Sequence, residues 1–332
     1  MERNGIFILL VMVEVFSLSL VAAQGVKAEF PERPITLINP QAPGGANDAL
    51  ARPFAAVAEK YLGKPVVVVN KPGASGMIGN IAGAQAAPDG YTLTIGSTLM
   101  TIVMDWEVIS GRKPEVYRND YVTIGVLSVI PTVLSVPYGS PWKTVADAVQ
   151  ELKAKPNQYT FCSAGLLSPT HLGCERFVRA YGLKCRHVPY KGGGPALTAL
   201  IGGHADFTTQ FSLTSIPLAR GNKIRILAVQ SPQRIKSIPD VPTFGELGMK
   251  VENGMWLGLV APKNTPAPIV EKLREVTVKV TKDPTYVEAI RALGEEVRAM
   301  DGNELARYWD QESEEITKLL TQFAKEGLKI NP

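Results

Sequence analysis

The chain lacks a strong excess of charge of either sign. Its 332 residues include 35 Lys and Arg against 31 Asp and Glu, and its basic runs are only pairs such as Arg112-Lys113. A nucleic-acid-binding surface needs clustered basic residues, so this class of partner is disfavoured. Hydrophobic residues make up 45% of the chain and charged residues 20%, which excludes a disordered or collagen-like protein.

Long hydrophobic runs are also missing, apart from one at residues 6–23 that follows the charged start Met1-Glu2-Arg3-Asn4. This arrangement predicts a secretory leader over residues 1–28, cut after Ala28. An uncleaved membrane anchor is the alternative. Glu14 disfavours it, because an acidic side chain near the centre of a membrane span costs roughly 2.5–3.5 kcal/mol. No Cys follows the run, so a lipid anchor would have no acceptor there.

Cysteine is scarce, with three residues at positions 162, 174 and 185. Export would allow a disulfide to persist. The eleven-residue step from Cys174 to Cys185 has the pattern of a helix, a turn at Gly182 and a strand, and it predicts a bridge between them. Cys162 would then be a single thiol. The alternative is a zinc site with loose spacings, formed by His171, Cys174, Cys185 and His187.

From residue 34 onward, short β-rich runs alternate with helical stretches, which is typical of an α/β fold with parallel sheets. The predicted strands are residues 35–39, 66–70, 91–96, 123–127, 133–136, 159–163, 184–188, 206–209 and 224–229. The length favours two lobes. The chain is expected to cross between them at residues 125–131 and at the Pro-rich residues 231–243. Lobe 1 would then comprise residues 29–126 and 231–332, and lobe 2 residues 127–230.

The clearest helical pattern runs from Leu50 to Leu62, with apolar residues on one face and Gly63 as its end. Pro53 predicts either a kink or a start near Arg52. Residues 266–326 are predicted to be mostly helical, with charged faces that are solvated surface.

The most informative segment for function is residues 40–48, Pro-Gln-Ala-Pro-Gly-Gly-Ala-Asn-Asp, between a predicted strand and a helix. Gly44 and Gly45 let the backbone approach a ligand, and Asn47 or Asp48 can cap the helix. The free N–H groups of such a helix start can seat an anion. The segment is neither a Walker loop nor a dinucleotide fingerprint. A plain strand-to-helix turn is the alternative.

Similar Gly- and Ser-rich turns follow four other β-runs, at residues 70–76, 96–98, 163–171 and 190–195. The carboxyl ends of parallel strands meet at one edge of a sheet, so five such turns predict a cleft between the lobes.

A hydrolase is the enzymatic alternative. Ser163, Ser168 or Cys162 could pair with His171 as nucleophile and base. No Gly-x-Ser-x-Gly elbow surrounds either serine, so hydroxyl donors or helix caps are favoured.

The sequence resembles the periplasmic solute receptors of tripartite tricarboxylate transporters, the Bug family of Gram-negative bacteria. The matching stretches run in the family's order: PxRPI at 31–35, APGGAxD at 42–48, NKPGA at 70–74, APDGYTL at 87–93, HL at 171–172, VPYKGG at 188–193, ILAV at 226–229, PDVPTFxExG at 239–248 and WxG at 256–258.

This resemblance implies a two-lobed α/β periplasmic-binding-protein fold of type II, with two crossovers and a ligand cleft between the lobes. It implies a monomeric periplasmic receptor, not an enzyme, that needs no cofactor or metal. Such a receptor closes on a small carboxylate (a di- or tricarboxylate, an acidic amino acid or an aromatic acid) and delivers it to a membrane transporter. A ligand-sensing protein that acts on a periplasmic sensor domain is the alternative.

Carried over to this sequence, the ligand-binding residues are Gln41, Ala42, Pro43, Gly44, Gly45, Asn47, Ser75, Ser97, Ser163, Ser168, Thr170, His171, Tyr190, Gly192, Gly193 and Asp206. The chain departs from the family pattern at Gln41, often aromatic, and at Asn47, often Thr. Cys162 and Leu167 stand where glycines are common. Leu166 and Leu167 favour a ligand with an apolar or aromatic body.

Overall fold

The computed structural model describes residues 30–327, so the predicted leader lies outside the described residues. Over this range, no helix has both the length and the apolar character that a membrane span requires.

Ten strands of the described chain form one sheet, ordered β2-β1-β3-β9-β4-β7-β5-β6, with β8 and β10 paired to β4. The strands are β1 (Ile35–Asn39), β2 (Val66–Asn70), β3 (Thr92–Ser97), β4 (Tyr121–Pro137), β5 (Thr160–Ser163), β6 (Arg186–Pro189), β7 (Phe207–Phe211), β8 (Ile224–Val229), β9 (Gly254–Pro262) and β10 (Met300–Asp301). Strands β1 to β3 pair in parallel, as do β5 to β7. The prediction of parallel strands is wrong for β4 and β8, which pair in antiparallel, and β9, which was not predicted, also runs antiparallel to its neighbours.

Strand β4 joins the two lobes. Its residues 121–131 pair with β9, and its residues 132–137 pair with β7 and β8. The prediction of two strands, 123–127 and 133–136, is therefore wrong, because one continuous strand passes from lobe to lobe without a turn. Most of β4 is buried and none of its residues is exposed, as expected for a strand at the centre of a sheet that is covered on both faces.

Three chain segments meet at the hinge. Gln230, just after β8, donates its N–H to the Thr132 carbonyl of β4, and Thr132 donates its own N–H to the Asn253 carbonyl before β9. Asn253 in turn donates its N–H to the Gln230 carbonyl. The lobe boundaries at 126/127 and 230/231 stay predictions.

Helices cover both faces of each half of the sheet. They are α1 (Ala46–Leu62), α2 (Met77–Ala84), α3 (Thr98–Ile109), α4 (Val145–Ala154), α5 (Pro169–Ala180), α6 (Gly193–Ile201), α7 (Ser212–Arg220), α8 (Ala267–Lys282), α9 (Pro284–Ala292) and α10 (Gly302–Lys325). In lobe 1, α1, α8 and α9 pack on one face of the sheet, and α3 and α10 pack on the other. In lobe 2, α4 and α5 pack on one face of the sheet, and α6 and α7 pack on the other.

Helix α1 ends as predicted and begins earlier than predicted. Gly63 closes it in the left-handed conformation (φ 68°) and donates its N–H to the Glu59 carbonyl. Of the two alternatives given for Pro53, a kink or a start near Arg52, the second is wrong, because the helix begins at Ala46 and carries Pro53 inside it.

The predicted disulfide between Cys174 and Cys185 is also wrong, since all three cysteines are free. Cys174 on α5 lies over β7, where its Sγ accepts a bond from the Thr209 N–H at 3.1 Å. Cys185 precedes β6, which is separated from β7 by β5. Burial raises the pKa of both thiols, that of Cys185 to about 11.

Candidate functional site

The loop between β1 and α1 takes its shape from Asp48. Its Oδ2 accepts bonds from the Gly44 N–H (3.1 Å) and from Arg52 Nε (2.8 Å). Its Oδ1 accepts bonds from the side-chain amides of Asn39 and Asn70, at 3.2 Å each. Burial by itself would raise the pKa of this carboxyl, but the bonds from Arg52, Gly44 and Asn70 lower it to about 2. Asp48 is therefore ionised at neutral pH, and its carboxylate stabilises the loop through these bonds.

The first turn of α1 contains a buried polar group without a partner. Gly45, not Asn47 or Asp48, is the N-cap, so the predicted side-chain cap is wrong. Asn47 is 4% exposed and its Nδ2 has no hydrogen-bond partner. A buried donor without an acceptor is costly, which marks this amide as available to a ligand.

The rest of this loop meets the turn after β2. Four predicted residues are exposed near the tip of the loop: Ala42, Pro43, Gly44 and Gly45. Gly44 has a φ of 80°, which favours glycine. The side chain of Gln41 lies against Gly76, where an added Cβ would be 2.6 Å from Gln41 Nε2. Ser75, beside Gly76, is exposed, whereas Ser97 at the end of β3 is 4% exposed.

In lobe 2, two predicted hydroxyl groups hold the loop between β5 and α5 together. Ser168 Oγ donates to the Gly165 carbonyl at 2.8 Å and accepts from the His171 N–H at 3.2 Å, which caps α5. Thr170 Oγ1 accepts from the Ala164 N–H at 2.9 Å. The structure thus brings these residues together, and it also shows that they bond to their own loop.

His171 lies behind this loop in a stack of rings. It is 2% exposed, its Nδ1 accepts the Leu167 N–H at 3.2 Å, and its ring centroid is 4.0 Å from that of His187. Burial lowers the pKa of His171 to about 3 and that of His187 to about 4, so both are neutral at physiological pH. His171 therefore supports the loop from within the protein.

The serine–histidine contact of the site is not the one considered from the sequence. Ser163 Oγ lies 2.7 Å from Nε2 of His187, not of His171. Ser163 is fully buried and its hydroxyl also donates to the Gly165 carbonyl. Within residues 30–327, neither ring nitrogen of His187 meets a carboxylate. This pair lacks the accessible nucleophile and the orienting acid of a hydrolase triad.

The loop between β6 and α6 is joined to the loop after β5. Tyr190 donates its N–H to the Ser163 carbonyl, and Gly192 donates its N–H to the Ala164 carbonyl, both at 3.0 Å. Gly192 is the N-cap of α6 with a φ of 109°. The amino ends of α5 and α6 are therefore neighbours.

Gln210 lies beside these loops and was not predicted from the sequence. It lies near the carboxyl end of β7, is 1% exposed, and its Nε2 has no hydrogen-bond partner. A Cβ added to Gly193 would lie 3.1 Å from Gln210 Oε1, so the side chain adjoins the start of α6. The strand direction could have indicated it, because residues at the carboxyl end of β7 face the cleft.

Asp206 lies at the other end of the same strand, which corrects the expectation that it shares the cleft. It precedes β7, and its Oδ2 accepts bonds from the Thr160 N–H at 2.7 Å and the Thr160 hydroxyl at 3.1 Å. Thr160 is the first residue of β5, so this pair closes the amino-terminal edge of the sheet.

Leu166 and Leu167 pack against protein. Leu167 is 7% exposed in a cluster with Ile102 and Trp106 of α3 and with residues of α10, and Leu166 packs against that cluster. These two side chains thus give no reason to expect an apolar ligand.

No metal centre forms within the described part of the chain. His, Cys, Asp and Glu side chains there do not gather in groups of three or more that could hold an ion. The zinc site considered for His171, Cys174, Cys185 and His187 is therefore wrong.

Comparison with known proteins identifies the family. Residues 50–324 match the model of the tripartite tricarboxylate transporter family receptor. A UPF0065 protein of Agrobacterium vitis, from the TAR-I ttuE-ttuC' intergenic region, is 35% identical over 301 residues, which cover 89% of this chain and 86% of that protein.

Solved structures agree with this match. A TctC solute-binding protein from Polaromonas has a TM-score of 0.77 at 30% identity, covering 88% of this chain and 99% of that one. Rpa4515 of R. palustris with adipate has a TM-score of 0.75 at 28% identity, covering 88% and 98%. MatC from Rhodopseudomonas palustris with bound malate has a TM-score of 0.73 at 27% identity, covering 88% and 100%.

The two-lobed α/β architecture with its long shared strand is thus the periplasmic-binding-protein fold. The family model matches residues 50–324, which are most of this chain. The chain therefore belongs to the tripartite tricarboxylate transporter receptor family, whose members are periplasmic solute-binding proteins.

Proposed function

We propose that this protein is a periplasmic receptor that closes on a small carboxylate and delivers it to a tripartite tricarboxylate-type transporter. One observation carries the proposal. Among residues 30–327, each lobe holds one buried side-chain amide nitrogen without a partner, Asn47 Nδ2 in lobe 1 and Gln210 Nε2 in lobe 2. Both lie beside helix amino ends, where N–H groups and the helix dipole favour an anion. Adipate and malate, bound by two structural neighbours, are both dicarboxylates.

The binding energy requires both lobes. Micromolar affinity needs about 8 kcal/mol, whereas one charge-assisted hydrogen bond contributes about 1.5–3 kcal/mol. Four or more donors must therefore converge on the ligand. The proposed donors are Asn47, Gln210 and the N–H groups at the starts of α1, α5 and α6. Since these donors come from opposite lobes, the ligand is held fully only after closure.

The proposed site includes most of the predicted residues, but their proposed roles differ. The lobe 1 side of the proposed site consists of residues 41–45, Asn47, Ser75 and Ser97. The lobe 2 side consists of residues 163–170 and 190–193. His171 and the loop hydroxyls support the backbone that faces the ligand. In the set of proposed ligand-binding residues, Gln210 takes the place of Asp206.

A thermal-shift panel on ligand-stripped protein tests the function. It covers citrate, C4–C6 dicarboxylates, aspartate, glutamate, benzoates and phthalates. A ligand at 100 times its Kd adds about 2.7 kcal/mol and raises the Tm by several degrees. We expect a shift confined to one chemical class, with ligand recovered unchanged. Folded, stripped protein that responds to no acid would refute the carboxylate proposal, and turnover of a bound ester would favour the hydrolase.

The variants Asn47→Ala and Gln210→Ala test the site. Neither unpaired amide bonds to protein, so their removal should leave the Tm of the free protein unchanged or raised. Each should weaken binding about 10-fold to 100-fold by calorimetry. Asn80→Ala is the matched control, because Asn80 on α2 is 2% exposed with its Oδ1 likewise unpaired. Full affinity in both site variants would contradict the assignment.

A further inference from the structure

Helix α10 is anchored to lobe 1 by polar contacts. Glu312 accepts bonds from Thr98 Oγ1 at 2.7 Å and from Trp256 Nε1 at 2.6 Å. Ser313 Oγ donates to Asp105 Oδ2 on α3 at 2.8 Å. These bonds place the middle of α10 firmly on the first lobe.

The carboxyl-terminal part of the same helix reaches lobe 2. The Phe323 ring centroid lies 5.5 Å from that of His171, and the Arg179 guanidinium lies 5.0 Å from the Phe323 ring. Arg179 also binds both carboxylate oxygens of Glu326, at 2.9 and 2.6 Å. His171 and Arg179 both belong to α5, so α10 spans the two lobes.

Leu167 is the loop residue that enters this contact. The interlobe cluster consists of Ile102, Trp106, Leu167, Leu172, Ile316, Leu320 and Phe323. Leu167 and Leu172 come from lobe 2, and the other members come from α3 and α10. Leu167 is 7% exposed and lies in the loop between β5 and α5, next to Ser168, which caps α5.

The backbone of Leu167 is in a conformation that needs support. Its φ is 57°, in the left-handed region that a leucine rarely adopts. Its N–H donates to His171 Nδ1 at 3.2 Å, and its side chain is buried against lobe 1. The loop shape therefore depends on a surface that belongs to the other lobe.

The cluster is bordered by open space. A cavity of about 510 Å³ lies between α5 and α10, and its lining residues include Arg176, Gln311 and the hinge residues Gln230 and Asn253. Packing between these helices is thus discontinuous, and the interlobe cluster provides the apolar contact beside the ligand loop.

We propose that Leu167 is a positioning residue that couples lobe closure to the shape of the ligand loop. Closure inserts its side chain between α3 and α10 and fixes the left-handed turn, which sets the backbone from residue 164 to residue 170. Separation of the lobes exposes Leu167 and releases the turn. Closure and loop ordering therefore form one equilibrium, which a ligand in the cleft shifts. This inference rests on the proposed function.

Leu167→Asn tests the coupling, because Asn accepts the left-handed conformation but is polar. We expect a larger radius of gyration of the ligand-free variant by small-angle X-ray scattering than of the wild type. We also expect about tenfold weaker binding of the carboxylate found in the thermal-shift panel, mainly through faster dissociation. Leu167→Met keeps an apolar side chain and should restore both values to nearly those of the wild type.

Leu183→Ala is the matched control, since Leu183 is also 7% exposed but lies in the core of lobe 2. It should lower the Tm and leave the radius of gyration and the affinity unchanged. A Leu167→Asn variant with wild-type scattering and affinity would overturn the proposal, as would a Leu183→Ala variant with the same changes. Scattering of the ligand-free protein needs no carboxylate, so failure of the proposed function would be recognised separately.

Discussion

At the scale of single residues, Asp48 shows how a charged group can shape a binding loop from the inside. Its carboxylate binds the loop at Gly44, the next turn at Asn70 and its own helix at Arg52. Its folded-state pKa of about 2 lies below the unfolded value near 3.8. The stabilisation is therefore complete above about pH 4 and is lost as the pH falls towards 2.

The variant Asp48→Asn should lose this contribution. We expect the free energy of unfolding at pH 7 to fall by about 2 kcal/mol, from the size of the pKa shift. The decline of stability between pH 4 and pH 2 should also become shallower. Urea unfolding across this pH range measures both effects. Asp240→Asn, a change at an exposed carboxylate, is the control and should stay near wild type. An unchanged pH profile in Asp48→Asn would contradict the assigned bonds.

At the scale of elements, α10 carries a half-buried acid, Glu312, in its contact with α3 and β9. Burial raises the pKa of Glu312 to about 7, although bonds from Thr98, Trp256 and Thr101 act in the opposite direction. A carboxyl group whose pKa is higher in the folded than in the unfolded protein is more often neutral in the folded state. Its ionisation therefore lowers stability progressively as the pH rises from about 4.5 to 7.

Glu312→Gln should remove this pH-dependent loss of stability, while its amide oxygen can still accept the bond from Trp256 Nε1. We expect the variant to be more stable than wild type at pH 8 by on the order of 2 kcal/mol, and about equally stable at pH 5. Thermal unfolding at the two pH values measures the difference. Glu295, whose pKa burial also raises to about 7, should keep part of the pH dependence. A variant that is less stable than wild type at pH 8 would show that the charged form is favoured.

At the scale of the whole molecule, one threonine ties the three hinge segments together. Thr132 Oγ1 donates to Gln230 Oε1 at 2.5 Å and accepts from Asn253 Nδ2 at 2.9 Å. Thr132 and Gln230 are almost fully buried. The two lobes are thus joined by hydrogen bonds as well as by the backbone of β4.

Thr132→Val keeps the shape of the side chain, leaves the buried Gln230 Oε1 unpaired and removes one of the two acceptors of Asn253 Nδ2, which also donates to the Pro169 carbonyl. We expect the free energy of unfolding to fall by about 1–3 kcal/mol, the cost of such groups. Thr94→Val is the matched control, because Thr94 Oγ1 is buried without a partner. The control should be neutral or slightly stabilising in chemical denaturation. Equal effects of the two changes would show that the hinge bonds contribute nothing.

Several elements were predictable because their signals are local. Strands β1, β2 and β8 were predicted with their observed bounds, since runs of Val and Ile bounded by turn residues favour extended chain. Strand β9 was missed, because its apolar run of residues 254–262 lacks the alternation that distinguishes a strand from a buried helix. The continuity of β4 was missed for a related reason, as two β-runs in sequence do not show whether the chain turns between them.

The sequence by itself determined the family, the α/β class, the turns at the strand ends and most of the residues of the proposed site, because these depend on residue type and short spacings. Only the tertiary structure decided which groups meet. It placed Gln210 beside the start of α6 and Asp206 at the opposite sheet edge, paired Ser163 with His187, kept Cys174 away from Cys185, and buried Leu167 against the other lobe. Such contacts join residues far apart in sequence, and they follow from strand order and direction, which local patterns do not specify.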